Sequence, residues 1–449
     1  MVRRLPSKII YLLSGIVLFT IIYFLGSGSF QASGIALVSL VVFWWITQPI
    51  PLYVTALIPI ILGPAFGLLP KTDIASSYGN QMIFLFLGGF MIALAIEKWK
   101  LHELISIRLI RFIGQSPTRI LAGFMLSTAF ISMWISNTAT TLMMLPMALS
   151  VIHSLEGDGK KRFSLGILLG IAYAANIGGT ATIIGTPPNV QLASILEEQF
   201  GITITFLSWL KIGLPFALLS LILAFLLIWL LLFRKLSLKV KKIKSQNLDK
   251  PQIIVLLIFL IVVLLWIFSK PLGLPFSDTA IALMGGSAMF AIQGVKNKSI
   301  LEWKDMQRIP WGILLLFGGG LAIAKILENT GTIVEIVNYL GELNMLSQTA
   351  VIFIFVVLAI FATELMSNLA LVSLLIPIVG VFAQEFNFPI ITLCASVALS
   401  ASCAFMFPVA TPPNAIVYSS GFISFNRMMI IGFAMNLITI GLISILMLA

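Results

Sequence analysis

Apolar runs of near-spanning length follow one another along almost the whole chain, parted by short polar stretches. A helix that crosses a bilayer needs about 20 mostly apolar residues. The pattern therefore predicts an all-α polytopic membrane protein with about 11 transmembrane helices. Two of the runs carry a polar triplet where lipid-facing residues are expected. The first is Ser136-Asn137-Thr138, inside WISNTATTLMMLP (Trp134 to Pro146), and the second is Ser367-Asn368-Leu369, inside ELMSNLALVSLLIP (Glu364 to Pro377). Each is followed by another interruption, Gly185-Thr186-Pro187-Pro188-Asn189 in the first half and Ala410-Thr411-Pro412-Pro413-Asn414 in the second. The offset between copies is 231 residues at the serine (367 minus 136) and 225 at the threonine (411 minus 186). One chain thus contains two copies of the same pair of breaks.

These breaks divide the chain. Residues 1–32 read as an N-terminal transmembrane helix, uncleaved because no small-x-small site follows it. Residues 33–233 form the first repeat, with a hairpin at 118–155 and a broken helix at 163–200. Residues 234–250 are a basic loop that includes Arg234, Lys235, Lys239, Lys241, Lys242, Lys244 and Lys250. Residues 251–449 form the second repeat, with a hairpin at 348–384 and a broken helix at 388–418. Basic residues mark cytoplasmic segments. They flank the first hairpin on both sides, at Lys98 to Arg119 and at Lys160-Lys161-Arg162, so that hairpin enters and leaves by one face and is re-entrant. The stretch equivalent to Lys98 to Arg119, at 328–346, has Glu328, Glu335 and Glu342 and no Lys or Arg. The second copy is accordingly expected upside down, with the N-terminus (Arg3, Arg4, Lys8) in the cytoplasm and the C-terminus outside.

Composition narrows the class. Of 449 residues 59% are hydrophobic and 10% charged, so the chain belongs in a cell membrane. The net charge of +11 lies in short segments between spans, where topology accounts for it and nucleic-acid binding does not. Cys394, Cys403, His102 and His153 lack metal-ligand spacing and read as structural. Glycine pairs at Phe86-Leu87-Gly88-Gly89 and Leu316-Phe317-Gly318-Gly319-Gly320 repeat between halves and suit close helix approach. Lys325 and Glu97 are expected to snorkel from helix ends. Glu364 is the nearest acid to either triplet, and facing the wet cavity or pairing with another segment is the reading favoured over a proton- or cation-carrying role.

Non-helical backbone at membrane depth survives only when buried in protein or lining a wet cavity, because each unpaired polar group costs several kcal/mol in hydrocarbon. A Ser-Asn-Thr alone would be a helix cap and a proline pair alone a helix stop. Both together, twice and in matched order, fit inverted repeats whose half-helices meet at mid-membrane around a solute. Hydroxyls, amides and backbone N–H groups can hold a carboxylate, and amide and carbonyl oxygens can ligate sodium. No Lys or Arg lies within the breaks, so a dianion there needs accompanying cations.

The first triplet with its following Ala-Thr-Thr, the IGTPPN stretch and FPVATPPNAIVYSSG resemble the signatures of the divalent anion/sodium symporter family, across nearly the whole chain. The resemblance implies that Ser136, Asn137, Thr138, Thr186, Pro187, Ser367, Asn368, Thr411 and Pro412 surround the anion. It implies one sodium site at Ser132, Ser136, Asn137 and Gly185, and another at Thr363, Met366, Asn368 and Ala410. Met366 and Ala410 can offer only carbonyl oxygens. Leu369 departs from the threonine of many relatives, which removes a hydroxyl from the anion's surroundings and bears on substrate identity. The family further implies a homodimer and an elevator motion of a transport domain against a scaffold. The expected function is sodium-coupled inward transport of a small dianion, a C4-dicarboxylate such as succinate, with sodium as the sole cofactor-like ion. Alternatives are a sodium-independent anion exchanger of the same family, or a sulfate or citrate carrier. An enzyme is not expected: neither histidine is near a polar break and no HExxH is present. A channel fits poorly with closed hairpins.

Overall fold

The computed structural model describes residues 7–114, 116–155, 159–234, 236, 247–294, 298–341 and 347–447. Arg3, Arg4, Glu156, Gly157, Asp158, Glu342 and most lysines of the basic loop (235, 239, 241, 242, 244) lie outside the described residues. Among the described residues the structure is helical, with one isolated β-bridge between Gln293 and Ser299.

Nine helices among the described residues are long and apolar enough to cross a bilayer, against the 11 or so expected. The difference lies in the broken elements. Gln348–Thr363 and Ile390–Ala401 are apolar but short, because a hairpin arm or a half-helix stops at its break. The first hairpin runs through Pro117–Ser132 and Asn137–His153, and the second through Gln348–Thr363 and Asn368–Glu385. Their first arms have 16 residues each. At 1.5 Å per residue that is about 24 Å, short of a hydrocarbon core about 30 Å thick. The broken helices run as Lys160–Thr180 then Pro187–Phe200, and Ile390–Ala401 then Pro412–Ser419.

Lys160–Thr180 is the axis of the molecule. Its 18-residue apolar window is wholly buried, whereas that of Ser7–Leu25 is 6% buried and faces outward. Around it pack both arms of the first hairpin, Phe206–Ile228 and the half-helix Pro412–Ser419 of the other repeat. The exchange is mutual: Asn137–His153 lies on Pro412–Ser419, and Pro187–Phe200 lies on Asn368–Glu385. The glycines permit the close crossings. A Cβ on Gly178 would stand 2.3 Å from the carbonyl oxygen of Ala129 in the first hairpin. A Cβ on Gly319 would stand 2.5 Å from that of Ala56.

Lys325, at its helix end, pairs with Glu198 at 2.5 Å and donates to Ser76 Oγ at 2.7 Å. A long cation so near an apolar interior is cheapest beside a carboxylate. Glu97 pairs with Arg308, and Lys98 with Asp305 at 2.6 Å.

Candidate functional site

Each helix break is stitched in the same way. Where Lys160–Thr180 unwinds, Asn189 Nδ2 donates to the carbonyls of Thr182 (2.8 Å) and Gly179 (3.2 Å). In the second half Asn414 Nδ2 donates to the carbonyls of Phe407 and Ala404, both at 3.1 Å. Every partner is displaced by 225 residues (414 minus 189, 407 minus 182, 404 minus 179). Both asparagines are fully buried, so their amides replace the water that the freed carbonyls would otherwise seek. The proline pairs suit the same geometry, since the first turn of the new helix has no intrahelical use for their missing N–H.

The hairpin tips repeat a second motif. Ser132 Oγ stands 2.7 Å from the carbonyl oxygen of Ala175 and 2.8 Å from Asn137 Oδ1. Thr363 Oγ1 stands 2.7 Å from the carbonyl oxygen of Ala401 and 2.9 Å from Asn368 Oδ1. A hydroxyl carries one proton, so it can serve only one of the two oxygens facing it. Each half therefore gathers a hydroxyl, a backbone carbonyl and an amide, three neutral oxygen-bearing groups within hydrogen-bond reach of one another. Moreover, among the described residues the carbonyls of Gly185, Met366 and Ala410 accept no hydrogen bond.

Gly179 sets the first cluster. A Cβ there would lie 2.4 Å from Asn137 Oδ1, and a Cβ on Gly185 would lie 2.4 Å from the Gly179 carbonyl oxygen. Ser132, Asn137 and Gly185 thus converge on one turn of backbone. In the second cluster Thr363 and Asn368 meet directly, while Ala410 donates its N–H to the carbonyl of Phe407 within the break. Ser136 caps its helix by accepting from the Ala139 N–H at 3.3 Å, so the capping account holds for that residue. Ser367 makes no such bond. Ser136, Asn137, Thr138, Ser367, Asn368, Met366 and Pro187 are half-buried, Thr186 and Thr411 are buried, and Pro412 is exposed. Leu369 is turned into the core.

Among the described residues no hydrogen bond joins one triplet to the other. At the breaks the halves are joined by Asn176, on the central helix, whose Nδ2 donates to Thr411 Oγ1 (3.2 Å) and to the carbonyl of Ala404 (3.3 Å). Ala175 beside it faces the first cluster, and Ala404 lies one turn beyond Ala401 of the second. Sequence reasoning passed over Asn176, although a lone amide within YAANIGG was a visible signal. The carbonyls of Ala175 and Ala401 gave none. Glu364 is buried and engages another segment, as favoured from sequence, accepting from Phe405, Met406 and Phe407 N–H groups and from Asn436 Nδ2.

Four helices begin at these breaks, and helix N-termini carry partial positive charge and unpaired N–H groups. Neutral oxygens beside such N-termini can hold a hard cation and an anion together. Among the described residues no cluster of His, Cys, Asp and Glu offers a transition-metal site.

Interlocked half-copies with matched hairpins and matched broken helices define a polytopic membrane protein of the carrier type. A family model described as citrate transporter (CitMHS) matches residues 42–387. The "Sodium-dependent dicarboxylate transporter SdcS" of Staphylococcus saprophyticus is 36% identical over 429 residues, spanning 88% of this chain and 82% of that one. Its namesake in Staphylococcus aureus strain USA300 is 36% identical over 423 residues, spanning 88% and 81%. A crystal structure of the Alcanivorax borkumensis YdaH transporter, described as having an unusual topology, shares the fold with a TM-score of 0.59. It is 14% identical and covers 84% of this chain and 86% of that one. The chain belongs to the citrate transporter family, and the resemblance of its motifs to the divalent anion/sodium symporters holds over most of its length.

Proposed function

We propose that this protein is a secondary active transporter that carries a small dicarboxylate inward together with sodium ions. The observation that carries the reading is the pair of oxygen clusters. Two hydroxyls each face a carbonyl and an amide oxygen, and the carbonyls of Gly185, Met366 and Ala410 have no donor among the described residues. Oxygens crowded without hydrogens are stabilised by a cation among them. One sodium site is assigned to Ser132, Ser136, Asn137 and Gly185, and the other to Thr363, Met366, Asn368 and Ala410. The names of the staphylococcal relatives supply both sodium and dicarboxylate.

The anion is assigned to the space between the tips, against Ser136, Asn137, Thr138, Thr186, Pro187, Ser367, Asn368, Thr411 and Pro412. These residues bring no full positive charge. Sodium therefore supplies the compensation, and each ligand raises the affinity for the other by the same factor. Release follows the same coupling: loss of sodium into a sodium-poor cytoplasm weakens the hold on the dianion. Movement of the hairpins and broken helices as one body against the remaining helices would carry the site across, with the N-terminus cytoplasmic, the C-terminus outside and two copies of the chain paired.

Uptake of radiolabelled succinate into proteoliposomes, with and without an inward sodium gradient, tests this. Uptake that needs sodium supports symport. Equal uptake with potassium on both sides refutes it and favours anion exchange. Because the family model is described by citrate, competition by citrate and by sulfate identifies the preferred anion, with succinate expected to compete best.

A further inference from the structure

A buried polar seam leads from the helix break at Thr186 to the ion pair at Lys325. Along Pro187–Phe200 the residues Gln191, Ser194 and Glu198 are spaced three and four apart and share one face. Trp311–Asn329 meets that face in matching order, with Gly320 at Gln191, Lys325 at Glu198 and Glu328 at Gln199, so the two helices run side by side in the same direction. Gly320 leaves the room for this approach. A Cβ there would stand 2.2 Å from Ser373 Oγ and 2.7 Å from Gln191 Nε2. Gln191 and Ser194 are 0% exposed, yet both amide atoms of Gln191 and the hydroxyl of Ser194 have no hydrogen-bond partner among the described residues. Polar groups buried without partners destabilise the arrangement they stand in, which is expected where the partner arrives only in another arrangement.

At the far end of the seam the Lys325 ammonium already holds a carboxylate. Glu198 Oε1 is 2.5 Å from Lys325 Nζ, and Ser76 Oγ accepts a second of its hydrogens at 2.7 Å. A partly buried ammonium in such a setting will receive a carboxylate from whatever molecule brings one. A shift of Pro187–Phe200 along Trp311–Asn329 by about seven residues (198 minus 191), about 10 Å at 1.5 Å per residue, takes Glu198 away and sets the Gln191 amide level with Lys325. We propose that Lys325 and Gln191 then form a second anion subsite, which takes one carboxylate of the dianion on its way to the clusters, and that Glu198 fills it in the present arrangement as a stand-in for the substrate. Lys325 thus faces a carboxylate in either arrangement. In the topology proposed above Lys160 is cytoplasmic, so this end of the seam faces outside, where the dianion loads. The inference rests on the carrier reading and its sliding movement.

Initial rates of radiolabelled succinate uptake into proteoliposomes at saturating sodium test this, through the half-saturating succinate concentration. Lys325→Met and Glu198→Gln break the same ion pair, so a merely structural pair would move both variants in one direction. The subsite moves them apart. Lys325→Met should raise half-saturating succinate by about tenfold, as a unit charge is lost beside a carboxylate. Glu198→Gln should lower it, because the internal competitor is gone. Movement in one direction, or none, overturns the proposal. The exchanged pair, Glu198→Lys with Lys325→Glu, keeps the contact and decides the matter where a single variant does not fold: half-saturating succinate should stay raised, and a return to the unaltered value overturns the proposal. Gln191→Leu removes an unpaired amide, so it should hold or raise the melting temperature while raising half-saturating succinate several-fold. An unchanged succinate value in that variant would mark Gln191 as a partner of buried water only and overturn the subsite. No saturable succinate uptake by the unaltered protein overturns the carrier reading and this inference with it. Saturable uptake that these variants leave unchanged overturns this inference alone.

Discussion

The ion pair between Lys325 and Glu198 joins helix Trp311–Asn329 to the second segment of a broken helix, Pro187–Phe200, and it should set the balance between carrier conformations. Lys325 Nζ lies 2.5 Å from Glu198 Oε1 and also donates to Ser76 Oγ at 2.7 Å. Beside it Gln199 Nε2 donates to Glu328 Oε2 at 3.1 Å. The two charged side chains are 16% and 20% exposed, so solvent screens them only in part. Two unit charges about 4 Å apart at an effective dielectric near 20 attract by about 4 kcal/mol. Desolvation and side-chain ordering take back much of this, leaving a net preference of roughly 1–3 kcal/mol for the paired arrangement. A slide of Pro187–Phe200 past Trp311–Asn329 breaks the pair, so Lys325→Met should shift the conformational ratio by roughly five- to a hundredfold. Leu365, 71% exposed at the tip of the second hairpin, is a suitable reporter once replaced by cysteine, because native Cys394 and Cys403 are buried. Labelling of Leu365→Cys by an impermeant maleimide should change in rate by that factor when Lys325→Met is added. The exchanged pair, Glu198→Lys with Lys325→Glu, should restore it. Unchanged labelling and unchanged transport in well-folded Lys325→Met protein would refute the reasoning.

Three further outcomes are expected. Asn137→Ala and Asn368→Ala should each abolish sodium-dependent succinate binding, since each amide is assigned to cation and anion together; wild-type stabilisation by succinate plus sodium in either variant contradicts the assignment. Asn176→Leu removes two neutral hydrogen bonds but leaves Ala404 and Thr411 their bonds from Asn414. It should cost about 2 kcal/mol, seen as a lower melting temperature with sodium affinity reduced in both sites. At the Lys98 end, burial alone would raise the carboxyl of Asp305, but the Glu302 N–H and the Lys98 ammonium outweigh it and hold the group below its usual range. A depressed carboxyl stabilises the fold above its unfolded value and loses that contribution as pH falls. Asp305→Asn should therefore lower the melting temperature at neutral pH, by about 1–3 kcal/mol of stability, with the difference shrinking only as pH falls below the ordinary aspartate value of about 3.9 and vanishing below the depressed folded value.

The repeat was legible because lipid enforces it. A backbone freed from helix at membrane depth needs polar partners, so the breaks show as polar letters in apolar text, and Ser132, Asn137, Thr363 and Asn368 indeed lie in matched clusters. What was not legible depended on groups that every residue has or on residues far along the chain. The carbonyls of Ala175 and Ala401 belong to alanines that no pattern distinguishes. Lys325 read as a snorkelling cation because its partner, Glu198, is 127 residues earlier (325 minus 198) and meets it only through packing. The length criterion for spans failed at the half-helices because what ends them is a break stitched by Asn189 or Asn414 from farther along the same repeat.

The same duplicated frame also explains where the halves must differ. Asn189 and Asn414 build both breaks identically, so an unmodified repeat would give two equal cation sites on either side of a symmetric anion. The departures are few and they are placed together. Asn176, beside the Ala175 carbonyl, is an amide that reaches the other half, whereas Ser402, beside the matching Ala401 carbonyl, bonds back to Ala398. Leu369 is buried where Thr138 is half-exposed, and Glu364 is charged where Met133 is neutral. Each change alters charge or hydrogen bonding within a turn or so of a cluster and leaves the stitched backbone as it is. A carrier that loads on one side and empties on the other benefits from sites of unequal strength, because the weaker one releases first. If these departures make the two clusters unequal, Ser132→Ala and Thr363→Ala should raise the sodium midpoint by different factors in titrations read by thermal stabilisation, and equal midpoints would place the asymmetry elsewhere in the fold.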